Sequence, residues 1–182
     1  MKPEDLVITV AGPHGSGRTT QAKLISEEFG LRYISAGTIF RQRAKELGLS
    51  LEEMTLKASE SSDFDNYLDR ISKEESKIGG VIIDATLSAW MAEDPDLRIY
   101  LTCPLEERVK RIASREGRDA SEIEKETKFR ERKERERFME YYGINIDDLS
   151  VYDMVINTKL LDEKGISRIL KAFISEYLNK GE

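Results

Sequence analysis

One stretch limits the folds open to this chain more than any other: Gly12-Pro13-His14-Gly15-Ser16-Gly17-Arg18-Thr19-Thr20. It follows residues 6–10 (LVITV), a short β-branched run that reads as a buried strand. It leads into residues 19–29, where Ala22, Ile25 and Phe29 recur at helical spacing until Gly30 stops them. Strand, glycine loop and helix in that order make a P-loop, G-x-x-x-x-G-[K]-[ST], with Arg18 where lysine is usual. The glycines let the backbone aim its N–H groups at phosphate oxygens, and the helix N-terminus adds its dipole. Thr19 brings a hydroxyl to where Mg²⁺ would sit between β- and γ-phosphates. Residues Gly12 through Thr20 are therefore the candidates for binding a nucleoside triphosphate, with Thr20 also serving the helix. Arg18 keeps the positive charge but replaces a compact ammonium with a wide planar fork. His14, in mid-loop, reads as a filler or a neighbour of phosphate rather than a general base.

The rest of the chain alternates in the same way. Strands are predicted at 31–34, 81–84 (VIID), 97–102 (LRIYLT) and 155–157. Helices are predicted at 38–47, from Ser50 (a capping box with Glu53), at 63–78, from Pro104 to Ser114, at 121–142 and at 166–178. Short apolar strands separated by helices predict an α/β fold with a parallel sheet covered on both faces. The length, 182 residues, suits a single domain over 1–182.

Composition excludes several kinds of chemistry. One cysteine, Cys103, rules out an internal disulfide and a cysteine-based zinc site, and one histidine rules out a histidine metal cluster. No run approaches the ~20 apolar residues of a membrane span, and no signal peptide is expected, so a cytoplasmic protein is the default. A net charge of −6 argues against a general nucleic-acid coat. The charge is unevenly spread: Arg108 to Arg137 carries twelve basic and eight acidic residues, which leaves the remainder at −10. A basic segment on an acidic body points to a local anion site, although charge segregation of this kind is often a solvated helix face.

Three further segments bear a resemblance. Ser35-Ala36-Gly37-Thr38-Ile39-Phe40-Arg41 resembles a segment of nucleoside monophosphate kinases, and of cytidylate kinases in particular. Leu87-Ser88-Ala89-Trp90-Met91, and the stretch from Tyr142 to Asp153, resemble the archaeal type of cytidylate kinase. The similarity runs from about Val7 to Thr158. It implies a P-loop fold with a five-stranded parallel core, a lobe for the monophosphate at roughly 35–78 and a mobile lid at roughly 115–140. It implies transfer of the γ-phosphoryl group of ATP to CMP or dCMP with Mg²⁺, in a monomer without nucleic-acid or membrane partners. By motif position, Ser35 and Gly37 would lie at the acceptor nucleoside and Arg41 would bind its phosphate. Asp84, ending the VIID strand, would hold a Mg²⁺-bound water together with Thr19 at the metal. After this acidic residue cytidylate kinases usually continue Gly-Arg, the arginine gripping phosphate; here Ala85-Thr86 stands instead.

Arg130, Glu134 and Arg137 fall at i, i+4 and i+7, one face of a helix, and match the family pattern R-x-x-x-[DE]-x-x-R. The resemblance gives the two arginines to the transferring or acceptor phosphate, and Glu134 to the acceptor nucleoside or to orienting an arginine; Arg18, on the ATP side in the phosphate loop, joins the two arginines as the catalytic cations. Arg111 and Arg115 are candidates for the ATP side. Arg132, Lys133 and Arg135 read as a solvated face laced by Glu131, Glu134 and Glu136. Two other readings stay open here. Ala85-Thr86 is compatible with a kinase for another small acceptor, and Arg18 with a nucleotide-binding module of weak or no turnover.

Overall fold

The computed structural model describes residues 2–180. Five parallel strands form one sheet: β1 (Val7–Ala11), β2 (Arg32–Ser35), β3 (Val81–Asp84), β4 (Leu97–Thr102) and β5 (Met154–Asn157), in the spatial order β2-β3-β1-β4-β5. Helices fill each connection: α1 (Arg18–Phe29), α2 (Ala36–Glu46), α3 (Leu51–Glu60), α4 (Asp63–Ile78), the short α5 (Ser88–Met91), α6 (Leu105–Glu116), α7 (Ala120–Tyr142) and α8 (Glu163–Asn179). The α/β expectation therefore holds.

The two faces of the sheet bury different sets of side chains, as strand alternation requires. Ile8, Val10, Ile82, Ile99 and Leu101 pack against Ala22 and Ile25 of α1 and Ile166, Leu170 and Ile174 of α8. Val7, Val81 and Ile83 form the opposite face with Ala85, Ala92 and Ile34. A third, smaller cluster, Val109, Ile112 and Ile123, lies between α6 and α7 and anchors the long helix to the body. Cys103 is a buried free thiol at the end of β4.

Strand register, more than packing, sets which side chains meet at one edge of the sheet. Asp84 is opposite Val10 on one side and Ser35 on the other, so the carboxyl ends of β1, β2 and β3 meet at Asp84. β1 is the middle strand, and the chain reverses into the glycine loop just beyond it. In an open parallel sheet this edge is where ligands bind.

Most predicted boundaries lie within two or three residues of the observed ones, and two differ in kind. Pro104 stands at the N-cap of α6, with ψ 142, rather than in its first turn. α5 is not predicted from the sequence, because a single turn of helix leaves no periodicity to detect. The 35–78 range covers the last residue of β2 and all of α2, α3 and α4, while 115–140 begins inside α6 and stops short of the end of α7. No helix is long and apolar enough to cross a membrane among the described residues.

Candidate active site

The glycine loop is shaped by close approach. Gly12 has φ 145, and a Cβ there would lie 2.2 Å from the Leu101 carbonyl oxygen. Gly17, at φ 92, is the N-cap of α1 and offers no side chain to the helix's first amides. Those amides, and the fully buried Ser16 hydroxyl that has no hydrogen-bond partner, are left for a ligand.

Asp84 gathers the groups around the loop. Its carboxylate is fully buried; Oδ2 accepts from Thr19 Oγ1 at 2.9 Å, from Tyr33 at 2.8 Å and from Ser35 at 3.3 Å. Burial and the charge of Asp84 push the Tyr33 phenol up to about 12, so it stays a donor. Thr19 and Asp84 supply two hard oxygen donors of the kind Mg²⁺ takes beside phosphate and water, so the pair fits that ion. No group of three acidic, histidine or cysteine side chains sits close enough to hold a metal among the described residues.

Two cavities flank α1's N-terminus. The first, about 360 Å³, is bounded by Gly15, Ser16, Gly17, Thr20, Arg111 and Arg115. Arg111 is held there by Thr158, whose hydroxyl and carbonyl take its two terminal nitrogens at 2.9 Å each, while Thr158 Oγ1 itself donates to Ser16 O at 2.7 Å. Arg115 is exposed and pairs with Glu116 at 2.8 Å. The expected ATP side is thus assembled from the loop, α6 and the segment after β5.

The second cavity, about 70 Å³, brings together Gly37, Phe40, Arg130, Glu134 and Arg137, and adds Asp65, Asp69 and Ser72 from α4. Of these, Gly37, Arg130, Glu134 and Arg137 are the residues expected at the acceptor. Arg137 is buried and lies 2.6 Å from Asp65, yet its Nη1 and the Nε of Arg130 have no hydrogen-bond partner. Burial raises the Asp65 carboxyl to about 6 despite Arg137, and Asp69 is raised by burial as well. Burial works against the charge on Glu134, but His14, Arg130 and Arg137 outweigh it and hold that carboxyl at about 2. Arg41, also expected at the acceptor, does not line this cavity; it lies near Gly37, its Nη2 donating to Thr38 Oγ1 at 3.2 Å. Its guanidinium is pulled below the usual range by desolvation and by Arg115 and Arg130, a concentration of positive charge that an anion would relieve.

Three residues lie apart from the cavity expected for them. Ser35 is committed elsewhere: its hydroxyl is buried against Asp84 and caps α2 by accepting from Thr38 N at 3.2 Å, so it does not border the acceptor cavity. His14 turns away from the ATP side, its Nε2 3.1 Å from Glu134 across the acceptor cavity. Arg18 borders that same cavity rather than the ATP one, with Nε 2.5 Å from Asp84 Oδ1 and Nη1 donating to Gly12 O at 2.9 Å. Pro13 acts through its backbone, accepting from Ser16 N at 3.1 Å.

The charged face of α7 also differs from expectation. Lys133 and Arg132 do pair with Glu136, and Arg135 pairs with Asp147 at 2.7 Å. Glu131 and Glu134, however, turn inward. Glu131 lies 2.6 Å from the buried Arg108 and accepts from His14 N at 3.2 Å, while Arg108 donates to His14 O at 2.8 Å. Sequence reasoning gives no site role to Arg108, Glu131, Asp65, Asp69, Tyr33 or Thr158. The one available signal is Asp65 and Asp69 at i, i+4 on an amphipathic helix, which alone says nothing about a cavity. Trp90 stacks edge-on against Tyr152, outside both cavities.

The chain is similar to known proteins over nearly its whole length. A model of the cytidylate kinase-like family matches residues 7–160. A cytidylate kinase of Staphylothermus marinus is 45% identical, the alignment covering 96% of this chain and 99% of the relative. One from Pyrococcus horikoshii is 44% identical over 96% of this chain and 91% of its own. Among solved structures, a shikimate kinase from Acinetobacter baumannii in complex with shikimate superposes with a TM-score of 0.62 at 14% identity, covering 95% of this chain and 96% of that one, a likeness of fold.

Proposed function

The chain belongs to the cytidylate kinase-like family, and we propose from its site that it transfers the γ-phosphoryl group of ATP to CMP or dCMP. The observation that carries this is the pair of cavities flanking the N-terminus of α1, one edged by the phosphate loop and the other by Arg130 and Arg137. Donor and acceptor phosphates would approach each other there.

In this reading the loop amides, Thr20, Arg111 and Arg115 hold ATP. Gly37, Arg41, Arg130, Glu134 and Arg137 hold the monophosphate, with α2, α3 and α4 as its lobe and α7 as the lid. An oxygen of the acceptor phosphate attacks the γ-phosphorus, the bond to the β–γ bridging oxygen breaks, and ADP leaves. The transition state is loose, so no protein base is needed and most of the acceleration comes from positioning and charge. Arg18, Arg130 and Arg137 supply that charge to the transferring group. Thr19 and Asp84 would hold Mg²⁺, which when bound neutralises the β- and γ-phosphate oxygens. A base beside Asp69 and Ser72 would meet acceptors, as an amino-bearing pyrimidine requires.

The test is ADP release with ATP and Mg²⁺ over CMP, dCMP, UMP, AMP and GMP. Turnover with CMP and dCMP at least about tenfold above the others in kcat/KM is expected, a margin that one or two hydrogen bonds to the base provide. Equal turnover of all five, or none, would overturn the reading.

A further inference from the structure

The two places where the sequence departs from the family pattern touch each other. Arg18 opens α1 and Thr86 follows β3, 68 residues later, yet Arg18 Nη1 donates to Thr86 Oγ1 at 3.4 Å. The same guanidinium meets Asp84 Oδ1 through Nε and the Gly12 carbonyl through Nη1. Anchors at two of its nitrogens fix the plane of the fork, which one ammonium could not satisfy. They also turn Arg18 away from the concave side of its own loop.

The direction of that turn sets which substrate the cation can serve. Arg18 and Thr86 both border the cavity that holds Arg130 and Arg137, and neither borders the one formed by Gly15, Ser16, Gly17 and Arg111. The ATP side has its own amides and two cations. The acceptor wall nearest β3 has Arg18, whose side chain is only 12% exposed. Thr86 is short enough to leave that space open. A long cation at position 86 would bring a second guanidinium to the spot Arg18 fills, where Asp84 already balances the first.

We infer that Arg18 and Thr86 act as one unit: Arg18 is a cation for the acceptor phosphate of CMP, and Thr86 is the residue that seats it. One positive charge belongs on this wall, and this chain delivers it from α1 instead of from the segment after β3. The inference deepens the proposed function and rests on it for the identity of the acceptor.

The test uses wild type, Arg18→Lys, Thr86→Arg, the double variant and Thr86→Val, with calorimetric binding of CMP alone and of ATP with Mg²⁺ alone, and thermal unfolding of each. Arg18→Lys is expected to weaken CMP about tenfold and ATP by no more than about threefold, because it loses a seated fork on the acceptor side only. Thr86→Arg is expected to weaken CMP similarly, since two cations compete for one place. The double variant is expected to bind CMP within about threefold of wild type, a cancellation rather than a product. Thr86→Val keeps the shape and removes the hydroxyl, and is expected to weaken CMP about threefold with folding intact. Losses that multiply in the double variant, or an Arg18→Lys protein that loses ATP and keeps CMP, would overturn the inference. A wild type that binds CMP without transferring phosphate would sink the proposed function alone, leaving the pair to be judged by binding. One that binds no CMP would sink both.

Discussion

At the scale of single residues, Gly12 is the position with least freedom. Its φ of 145 is one that side chains rarely adopt, and a Cβ would strike the Leu101 carbonyl. Both objections apply to the smallest substitution. Gly12→Ala is therefore expected to cost about 3 kcal/mol, lowering the melting temperature by about 6–12 °C, and to abolish measurable ATP binding by calorimetry. A variant that melts with wild type and binds ATP would refute this account of the loop. Arg137 poses a different question, because its pairing with buried Asp65 mixes stability with function. Arg137→Met strands a buried carboxylate and is expected to destabilise by about 3 kcal/mol. Adding Asp65→Asn removes the stranded charge. The double variant should recover most of the stability, read by urea unfolding, and none of the phosphoryl transfer. Recovery of both would make Arg137 a structural residue only.

At the scale of elements, α7 concentrates the consequences of charge. Glu134 is held at about 2, with His14, Arg130 and Arg137 overcoming the cost of burial. A carboxyl lowered in the fold adds stability that is fully present above its ordinary value of 4.5 and is lost as pH falls through 2. Glu134→Gln should thus be less stable than wild type by roughly 2–3 kcal/mol at pH 6. The gap should close steadily as pH drops from about 4.5 toward 2. Denaturant unfolding across that range checks it, and a gap independent of pH would mean that Glu134 acts by packing. α7 also marks where sequence reading stops. The strands, α1, α4 and α8 were legible because their signals are local: β-branched runs, helical spacing, a glycine stop. The Arg130, Glu134, Arg137 face was legible for the same reason, since helical geometry alone puts the three together. The tie from Glu131 to Arg108 and His14 was not, because it spans 117 residues to the loop and depends on how α7 lies across the sheet. Ser35 shows a second limit. Its motif position points to substrate, and the motif alone does not show that the same serine also makes the N-cap of α2.

At the scale of the whole molecule, the question is how an acceptor enters. A cavity of about 70 Å³ is well below the roughly 300 Å³ at which small-molecule sites begin. α7 closes it, tied to the loop and α6 by Glu131 and Glu134, and to α4 by Arg137 with Asp65 and by Tyr142 donating to Asp69. Tyr141 adds a bond to the Ser59 carbonyl of α3 at 3.0 Å. Every one of these ties is polar; the apolar anchors of α7 are Ile123, with Val109 and Ile112, at its beginning and the buried Phe138 near its end. A helix packed on an apolar cluster at its start, and held beyond that mainly by polar ties and the single side chain of Phe138, can swing out without unfolding the sheet. The second half of α7 should therefore exchange its amide hydrogens faster than α1 or α8, which are packed on the main core along their length. Glu131→Gln, which weakens the tie to Arg108 and His14, should speed that exchange further while leaving β1 and β4 as protected as before. Bound CMP with ADP should slow it, because phosphates would then occupy the unpartnered nitrogens of Arg130 and Arg137. Uniform protection of α7 and α8, unaffected by Glu131→Gln and by ligand, would show a rigid helix, and acceptor entry would then need a movement of α2–α4 instead.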